Sequence, residues 1–202
     1  MLEKWKKNLG RRSFVLELVI TIIVLILTLS GLANFLNQIE LRQGVILSDP
    51  LLGMFKPMDL TYVIFSVLYI GLIVGIIFLI KDPERLLIGI QAYIIMIIFR
   101  MAAMYLVPLD PPSLMIPLSD PFVQFFGTGK LLTRDLFFSG HTSTLFLLFL
   151  ISEVKWLKVI FLCLTLIVAG CVIAQHVHYT IDVFVAPFFS YASYRIALSM
   201  HK

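Results

Sequence analysis

The stretch FVLELVITIIVLILTLSGLANFL, from Phe14 to Leu36, decides the fold class because it is long enough to cross a bilayer as one helix. It is far longer than the apolar core of a secretory signal peptide. It also lacks a convincing small-residue cleavage site, so we expect it to be retained as a membrane span. The chain is therefore predicted to be an integral membrane protein.

The composition of the whole chain supports this prediction. The 202 residues are 60% hydrophobic and 14% charged, with a mean hydropathy of +1.00, which is too apolar for a water-facing surface all round.

The fourth apolar run reaches membrane length only if its helix starts near Ser139 and continues through Glu153. We predict an all-α bundle of six transmembrane helices, near 14–36, 60–80, 86–107, 141–152, 157–175 and 180–198.

Two regions follow from this organisation, a basic tail at 1–13 and a single membrane catalytic domain at 14–202. Eleven Lys and Arg residues fall on the amino-terminal side of the predicted spans. Four fall on the other side, namely Arg42, Lys56, Lys130 and Arg134. Because this excess marks the cytoplasmic side, both termini are predicted to be cytoplasmic. The same flanking positions suit anionic lipid, and no nucleic-acid partner is expected.

Two polar motifs begin the fourth and sixth predicted spans, both on the extracytoplasmic side: Ser139-Gly140-His141-Thr142 and His178-Tyr179-Thr180-Ile181-Asp182. Residues four apart share a helix face, so Asp182 is expected to reach one ring nitrogen of His178 and fix its tautomer. The other nitrogen could then attack phosphorus or take a proton from an attacking hydroxyl. His141 would protonate the leaving group, which makes these three residues the predicted catalytic set.

Further residues are candidates for binding the substrate. Backbone N–H groups of Ser139 and Gly140, at a helix start, are expected to bind phosphate oxygens. Arg100 lies inside an apolar run, where an unpaired guanidinium costs at least about 2.5 kcal/mol; it binds phosphate, reaches the interface or pairs with a carboxylate. Arg134 and Asp135 either line the site or belong to a solvated loop. Phenylalanines that could cage a choline ammonium are Phe122, Phe125, Phe126, Phe137 and Phe138.

At these residues the chain resembles the sphingomyelin synthase family, a branch of the type 2 phosphatidic acid phosphatase superfamily. Asp135 followed by Ser139-Gly140-His141-Thr142 looks like the third motif of that family, and the segment from His178 to Val183 with Ala186 looks like its fourth. Weaker similarity to the second and first motifs lies at Arg100 with Met104-Tyr105 and at Leu47-Ser48-Asp49.

The resemblance implies transfer of a phosphocholine or phosphoethanolamine type group from a glycerophospholipid to ceramide or another lipid hydroxyl. It also implies His141, His178 and Asp182 as the catalytic triad, no metal and no other cofactor. The expected location is a bacterial cell membrane with an extracytoplasmic active site, or the lumenal Golgi or plasma membrane face in a eukaryote. Three departures from the motifs are Thr133-Arg134 in place of Cys-Gly, a missing doubled arginine, and Pro187 in place of an aromatic residue.

Two other functions stay open from the sequence. A lipid phosphate phosphatase uses the same histidine chemistry on a monoester, which carries more negative charge than a diester and needs more fixed cations. The usual phosphatase motifs are absent, since Lys130 lacks its Arg-Pro partner and Cys171-Val172 occupy the Ser-Arg positions. Diester chemistry, by transfer or by phospholipase C-type hydrolysis, is therefore favoured. A non-catalytic lipid carrier or channel is the alternative of another class.

Overall fold

The computed structural model describes residues 1–119 and 132–201, and this part of the chain is helical without a β-strand. Val45 and Leu109 form an isolated parallel bridge between two loops. The described residues form a 3-10 helix at Leu52–Met54 and seven α-helices, which are α1 Leu2–Leu9, α2 Arg12–Glu40, α3 Thr61–Leu79, α4 Pro83–Leu106, α5 Gly140–Ile151, α6 Lys155–Ala174 and α7 Thr180–Ser199.

Four helices, α2, α3, α4 and α6, are long and apolar enough to cross a membrane. Helix α7 has the length, with 20 residues, but it is not among these four. Helix α5 has only 12 residues, about 18 Å at 1.5 Å per residue. The all-helical membrane fold agrees with the sequence prediction, while the count of six spans and the cytoplasmic location of both termini stay predictions.

The extension of α5 through Glu153, needed for a full span, is absent from the structure. Ser152 ends the helix with an extended backbone at φ −66° and ψ 133°, and its hydroxyl donates to the Leu148 carbonyl at 2.7 Å. Helix α5 therefore ends at Ile151, two residues before Glu153.

Helix α5 lies at the centre of the bundle, between two hydrophobic clusters. Gly71 and Gly75 of α3 allow close packing, since a Cβ at either position would lie 2.7 Å from a methyl group of Leu145 or Leu148. The opposite face of α5 packs on α4 and α7 through Leu147 and Ile151. The start of α5 is thereby held among four other helices.

The two ends of the bundle differ in their polar contacts. At one end, the predicted basic tail contains helix α1, where Lys4 pairs with Asp82 at 2.7 Å and Trp5 donates to the Ile80 carbonyl at 2.7 Å. The other end collects the loops after α2, α4 and α6 and the starts of α5 and α7. Predictions that concern Phe122, Phe125, Phe126, Lys130 and Lys202 lie outside the described residues.

Candidate active site

His178 and Asp182 form a buried pair at the start of α7. Asp182 Oδ2 lies 3.4 Å from His178 Nδ1 and accepts the Tyr179 N–H at 3.1 Å. The side chains are 1% and 0% exposed. The sequence analysis assumed that the two residues share one face of a helix. The helix begins only at Thr180, so they meet instead through the turn that enters it. With Nδ1 directed at the carboxylate, Nε2 is the ring nitrogen left for chemistry.

His141, the second residue of α5, faces this pair. Its ring centroid lies 6.5 Å from that of His178, with the planes at 63°. The ring also makes an edge contact with Phe65 at 5.9 Å. This separation allows nitrogens of both imidazoles to contact one phosphoryl group by hydrogen bonds of ordinary length. The structure thus brings together the three residues that the sequence analysis predicted to be catalytic.

Ser139 connects the two helix starts. Its N–H donates to the Asp182 carbonyl at 3.1 Å, and its hydroxyl caps α5 by accepting the Thr142 N–H at 3.5 Å. The Ser139 N–H is therefore engaged within the protein and is not available to a phosphate, contrary to the expectation from sequence. Gly140 is the first helical residue, whose N–H has no acceptor inside the helix, and it remains a candidate for binding phosphate.

Arg100 of α4 places its guanidinium over Gly140. A Cβ on this glycine would lie 2.8 Å from Arg100 Cζ, so the close approach requires a residue without a side chain. Arg100 Nε donates to the Phe138 carbonyl at 2.9 Å, and Nη2 lies 2.6 Å from Asp135 Oδ1. The sequence analysis left three alternatives for Arg100, and in the structure its guanidinium pairs with a carboxylate, that of Asp135. The cation nevertheless lies at the start of α5, where His141 is the next residue.

Arg134 and Tyr105 make their contacts elsewhere. Arg134 donates through Nε to Asp110 Oδ1 and through Nη1 to the Glu40 carbonyl, both at 2.7 Å. Tyr105 is 63% exposed, and its carbonyl accepts from Arg42 at 2.6 Å. Neither side chain has a contact with the histidines in the described part of the chain. Arg134 anchors the segment before α5 to the end of α2, and the binding roles of both residues stay predictions.

Asp49 is a residue of this region to which the sequence analysis gave no role. Its Oδ2 accepts the Thr180 N–H at 2.7 Å, and its Oδ1 accepts the Thr180 hydroxyl and the Leu51 N–H at 3.0 Å. Burial raises the pKa of Asp49, but the hydrogen bonds from Thr180, Leu52 and Leu51 outweigh burial and hold this pKa below its usual value of 3.8. The only sequence signal was the weak similarity at Leu47-Ser48-Asp49. Asp49 fixes the start of α7 from a distant loop.

Tyr179 makes a second connection between loops. Its hydroxyl donates to the Asp110 carbonyl at 2.8 Å and accepts the Leu47 N–H at 3.2 Å. The side chain is buried. The residue next to His178 is therefore fixed by the loops after both α2 and α4.

His176 reverses the chain between α6 and the His178–Asp182 pair. Its φ is 57°, in the left-handed region, and the Val177 N–H to Val172 and His176 N–H to Ile173 hydrogen bonds, both 2.9 Å, form a Schellman motif. Glycine is usual at this position because a Cβ there costs about 1–2 kcal/mol. The turn that places His178 is therefore held in a strained conformation.

The His176 ring is buried and contacts the Phe55 ring at 5.2 Å in an edge arrangement. Its Nε2 has no hydrogen-bond partner within the described ranges. Burial lowers the pKa of His176, and the charge of Asp49 opposes this effect. A neutral ring is consistent with the apolar contact.

Asp49→Asn is expected to lower the unfolding temperature at neutral pH by about 3 °C, because a charge-assisted hydrogen bond to a helix start is worth about 1 kcal/mol. The native pKa is held below the unfolded value of 3.8, so the carboxylate contributes stability above that value, and this contribution is lost as the pH falls through the lower native pKa. Thermal unfolding of both proteins in detergent from neutral to acidic pH measures the difference. If the difference in unfolding temperature between the two proteins stays constant into the acid range, the stabilising role of the Asp49 carboxylate is contradicted.

Residues 134–199 match the family model described as PAP2 superfamily C-terminal. This match supports membership of the PAP2 superfamily. Members of this superfamily are generally phosphatases or phosphotransferases, which suggests that the chain is an enzyme. The matched region contains His141, His178 and Asp182, whereas Arg100 and Asp49 lie before it.

No curated protein matches the chain. Within residues 1–119 and 132–201, no group of three His, Cys, Asp or Glu side chains is placed to hold a metal ion. The described residues that could act on a phosphate group here are the histidine pair, the carboxylates and Arg100.

Proposed function

We propose that this protein is a membrane-embedded lipid phospho-headgroup transferase, similar to the sphingomyelin synthases. It would move a phosphocholine or phosphoethanolamine type group from a glycerophospholipid to ceramide or another lipid hydroxyl. The observation that carries the proposal is the convergence of His141 and the His178–Asp182 pair, 6.5 Å apart by ring centroids, beside the cation of Arg100.

The proposed step breaks one P–O bond and forms another. His178 Nε2 takes the proton of the acceptor hydroxyl while its oxygen attacks phosphorus, and Asp182 stabilises the imidazolium that forms. The bond from phosphorus to the diacylglycerol oxygen breaks, and His141 gives this oxygen its proton. Proton exchange with solvent then restores both histidines. Arg100 and the Gly140 N–H hold the phosphoryl oxygens during the step.

The charge of the site supports a diester substrate. Arg100 is paired with Asp135, and Arg134 is committed to Asp110 and Glu40. The described residues therefore leave little uncompensated positive charge near the histidines. A phosphomonoester carries about −1.5 to −2 at neutral pH, and a diester carries less. Water in place of the lipid hydroxyl would give phospholipase C-type hydrolysis.

Lipid phosphate phosphatase activity is the second candidate, because the PAP2 superfamily match favours it. It would use the same histidines with water as the acceptor and phosphatidic acid as the substrate. A non-catalytic lipid carrier is the alternative of another class. It would need a site that binds the lipid but would not need the basicity of His178.

The membrane arrangement that we propose has six spans and both termini in the cytoplasm. The site would then face the outer or lumenal leaflet, where donor and acceptor lipids are available from the bilayer. The clustering of the predicted site residues at one end of the bundle, opposite α1, supports this arrangement.

An assay with purified protein in detergent micelles tests the function. Labelled phosphatidylcholine or phosphatidylethanolamine is supplied with and without ceramide, and phosphatidic acid is supplied separately, with products identified by mass spectrometry. We expect headgroup transfer that needs the lipid alcohol. Free phosphate from phosphatidic acid alone would establish the phosphatase instead. Lipid binding without turnover of any substrate would favour the carrier.

A further inference from the structure

We infer that a groove between residues 47–51 and the start of α7 binds the hydrocarbon chain of the acceptor lipid, an inference that rests on the transferase function proposed above. The groove, here called the α7 groove, has a volume of about 430 Å³, within the usual range for small-molecule sites. Residues 47–51 form one wall, and residues 179–181 with Phe184 form the other. The Asp49 hydrogen bonds to Thr180 hold the two walls together.

The outer part of the α7 groove continues into an apolar face of α7. Ile181, Phe184 and Phe188 follow one another at three and four residues, so they share one side of the helix, and each is exposed in the protein. The Phe184 and Phe188 rings contact at 5.6 Å. In a membrane this face contacts lipid tails. A chain can therefore pass from the bilayer along α7 into the groove without crossing a polar surface.

The inner part of the α7 groove borders the catalytic loop. Tyr179, a lining residue, directly follows His178 in the chain. His141 lies on a different helix, α5. In phosphoryl transfer the attacking and leaving oxygens lie roughly in line on opposite sides of phosphorus. A groove beside the base that activates the hydroxyl therefore suits the acceptor, whereas the diacylglycerol leaves on the side of His141.

The charge of the α7 groove favours the same occupant. Asp49 is the one ionisable carboxylate among its described lining residues, and no Lys or Arg lines it there. The phosphate of a donor headgroup would meet this carboxylate without a Lys or Arg on the described lining to compensate it, which disfavours the phosphodiester group of the donor in the groove. A lipid alcohol is neutral, and Ser48 and Thr180 offer one hydroxyl group on each wall. The assigned occupant is a long-chain neutral lipid alcohol, such as a ceramide or a diacylglycerol.

Narrowing the groove should therefore change the dependence on the length of the acceptor chain. In Ile181→Trp we expect the ratio of kcat/KM for a palmitoyl over a hexanoyl acceptor to fall about tenfold, because the buried chain methylenes lose their contacts. The same ratio measured for donor chains should stay at its wild-type value. Leu166→Trp, on the exposed face of α6, is the matched control and should leave both ratios unchanged. Ser48→Trp narrows the groove from the opposite wall and guards against a folding defect in α7.

A second measurement does not depend on turnover. A ceramide with a diazirine in its chain is cross-linked to the wild-type protein in detergent, and labelled peptides are mapped by mass spectrometry. We expect labels within residues 47–51 and 179–184 that Ile181→Trp reduces about tenfold. Should the protein transfer no headgroup, the proposed function fails while this map still decides the inference. Labels elsewhere, labels from a diazirine phosphatidylcholine at these peptides, or a donor-chain effect in Ile181→Trp would each overturn it.

Discussion

His178→Gln is expected to lower headgroup transfer about 10⁴-fold, the largest effect of any single substitution in this protein. Glutamine can still donate to Asp182 and fills much of the same buried space, but it cannot take a proton from the acceptor hydroxyl. The loss should appear in kcat, since the chemical step loses its base while lipid binding is retained. Initial rates of product formation, measured by mass spectrometry over a range of acceptor concentrations, give kcat and KM separately.

His201→Gln is the matched control for this substitution. His201 lies at the other end of the bundle, where its Nε2 lies 2.6 Å from Gln91 Oε1, so the same chemical change there should leave transfer at the wild-type rate. The His178 variant must also elute as the same folded species and unfold at a similar temperature. Undiminished turnover in folded His178→Gln would refute the catalytic assignment.

Arg100→Gln should reduce transfer about 10³-fold, because one cation that stabilises charge on the phosphoryl oxygens is lost. It should also destabilise the fold by about 2 kcal/mol, since Asp135 keeps its charge and loses its partner. The double variant Arg100→Gln with Asp135→Asn removes both charges. We expect it to recover most of the stability and none of the activity. Thermal unfolding and transfer assays on the three proteins separate the two roles.

Arg100→Lys refines this test. Lysine keeps the charge but lacks the planar fork that contacts the Phe138 carbonyl and Asp135 together, so an intermediate rate is expected. Recovery of transfer in the double variant would mean that Arg100 only balances Asp135 and does not contact the phosphate.

The helices of the membrane bundle could be predicted from sequence because the length of each apolar run sets the length of the helix that it forms. The helix Thr61–Leu79 differs from the predicted run at 60–80 by one residue at each end. The end of α5 could not be predicted in the same way. Its apolar run continues to Ile151, but whether Ser152 continues or caps the helix depends on the tertiary position of the polar connection.

That His141, His178 and Asp182 would lie together could be predicted because histidines at the ends of apolar segments are rare and costly, and their catalytic role stays a prediction. The residues that hold them in place could not be predicted. Asp49 reaches Thr180 across 131 positions of sequence, and no local pattern announces a contact of that separation. Arg134 shows the same limit, since nothing local to the motif predicts its hydrogen bonds to Asp110 and to the Glu40 carbonyl. Local spacing predicted that His178 and Asp182 would meet, although through a different backbone conformation.

The shortness of α5 bears on the depth in the membrane at which the proposed reaction would take place. Its rise of about 18 Å is roughly 12 Å less than the hydrocarbon thickness of a bilayer. If Ile151 lies near one surface, His141 at the opposite end of the helix is sunk below the other. The scissile phosphate then has to descend from the plane of its neighbours into a region with little water, where each fixed charge acts over a longer range. The thickness of the host membrane becomes part of the barrier to reaction.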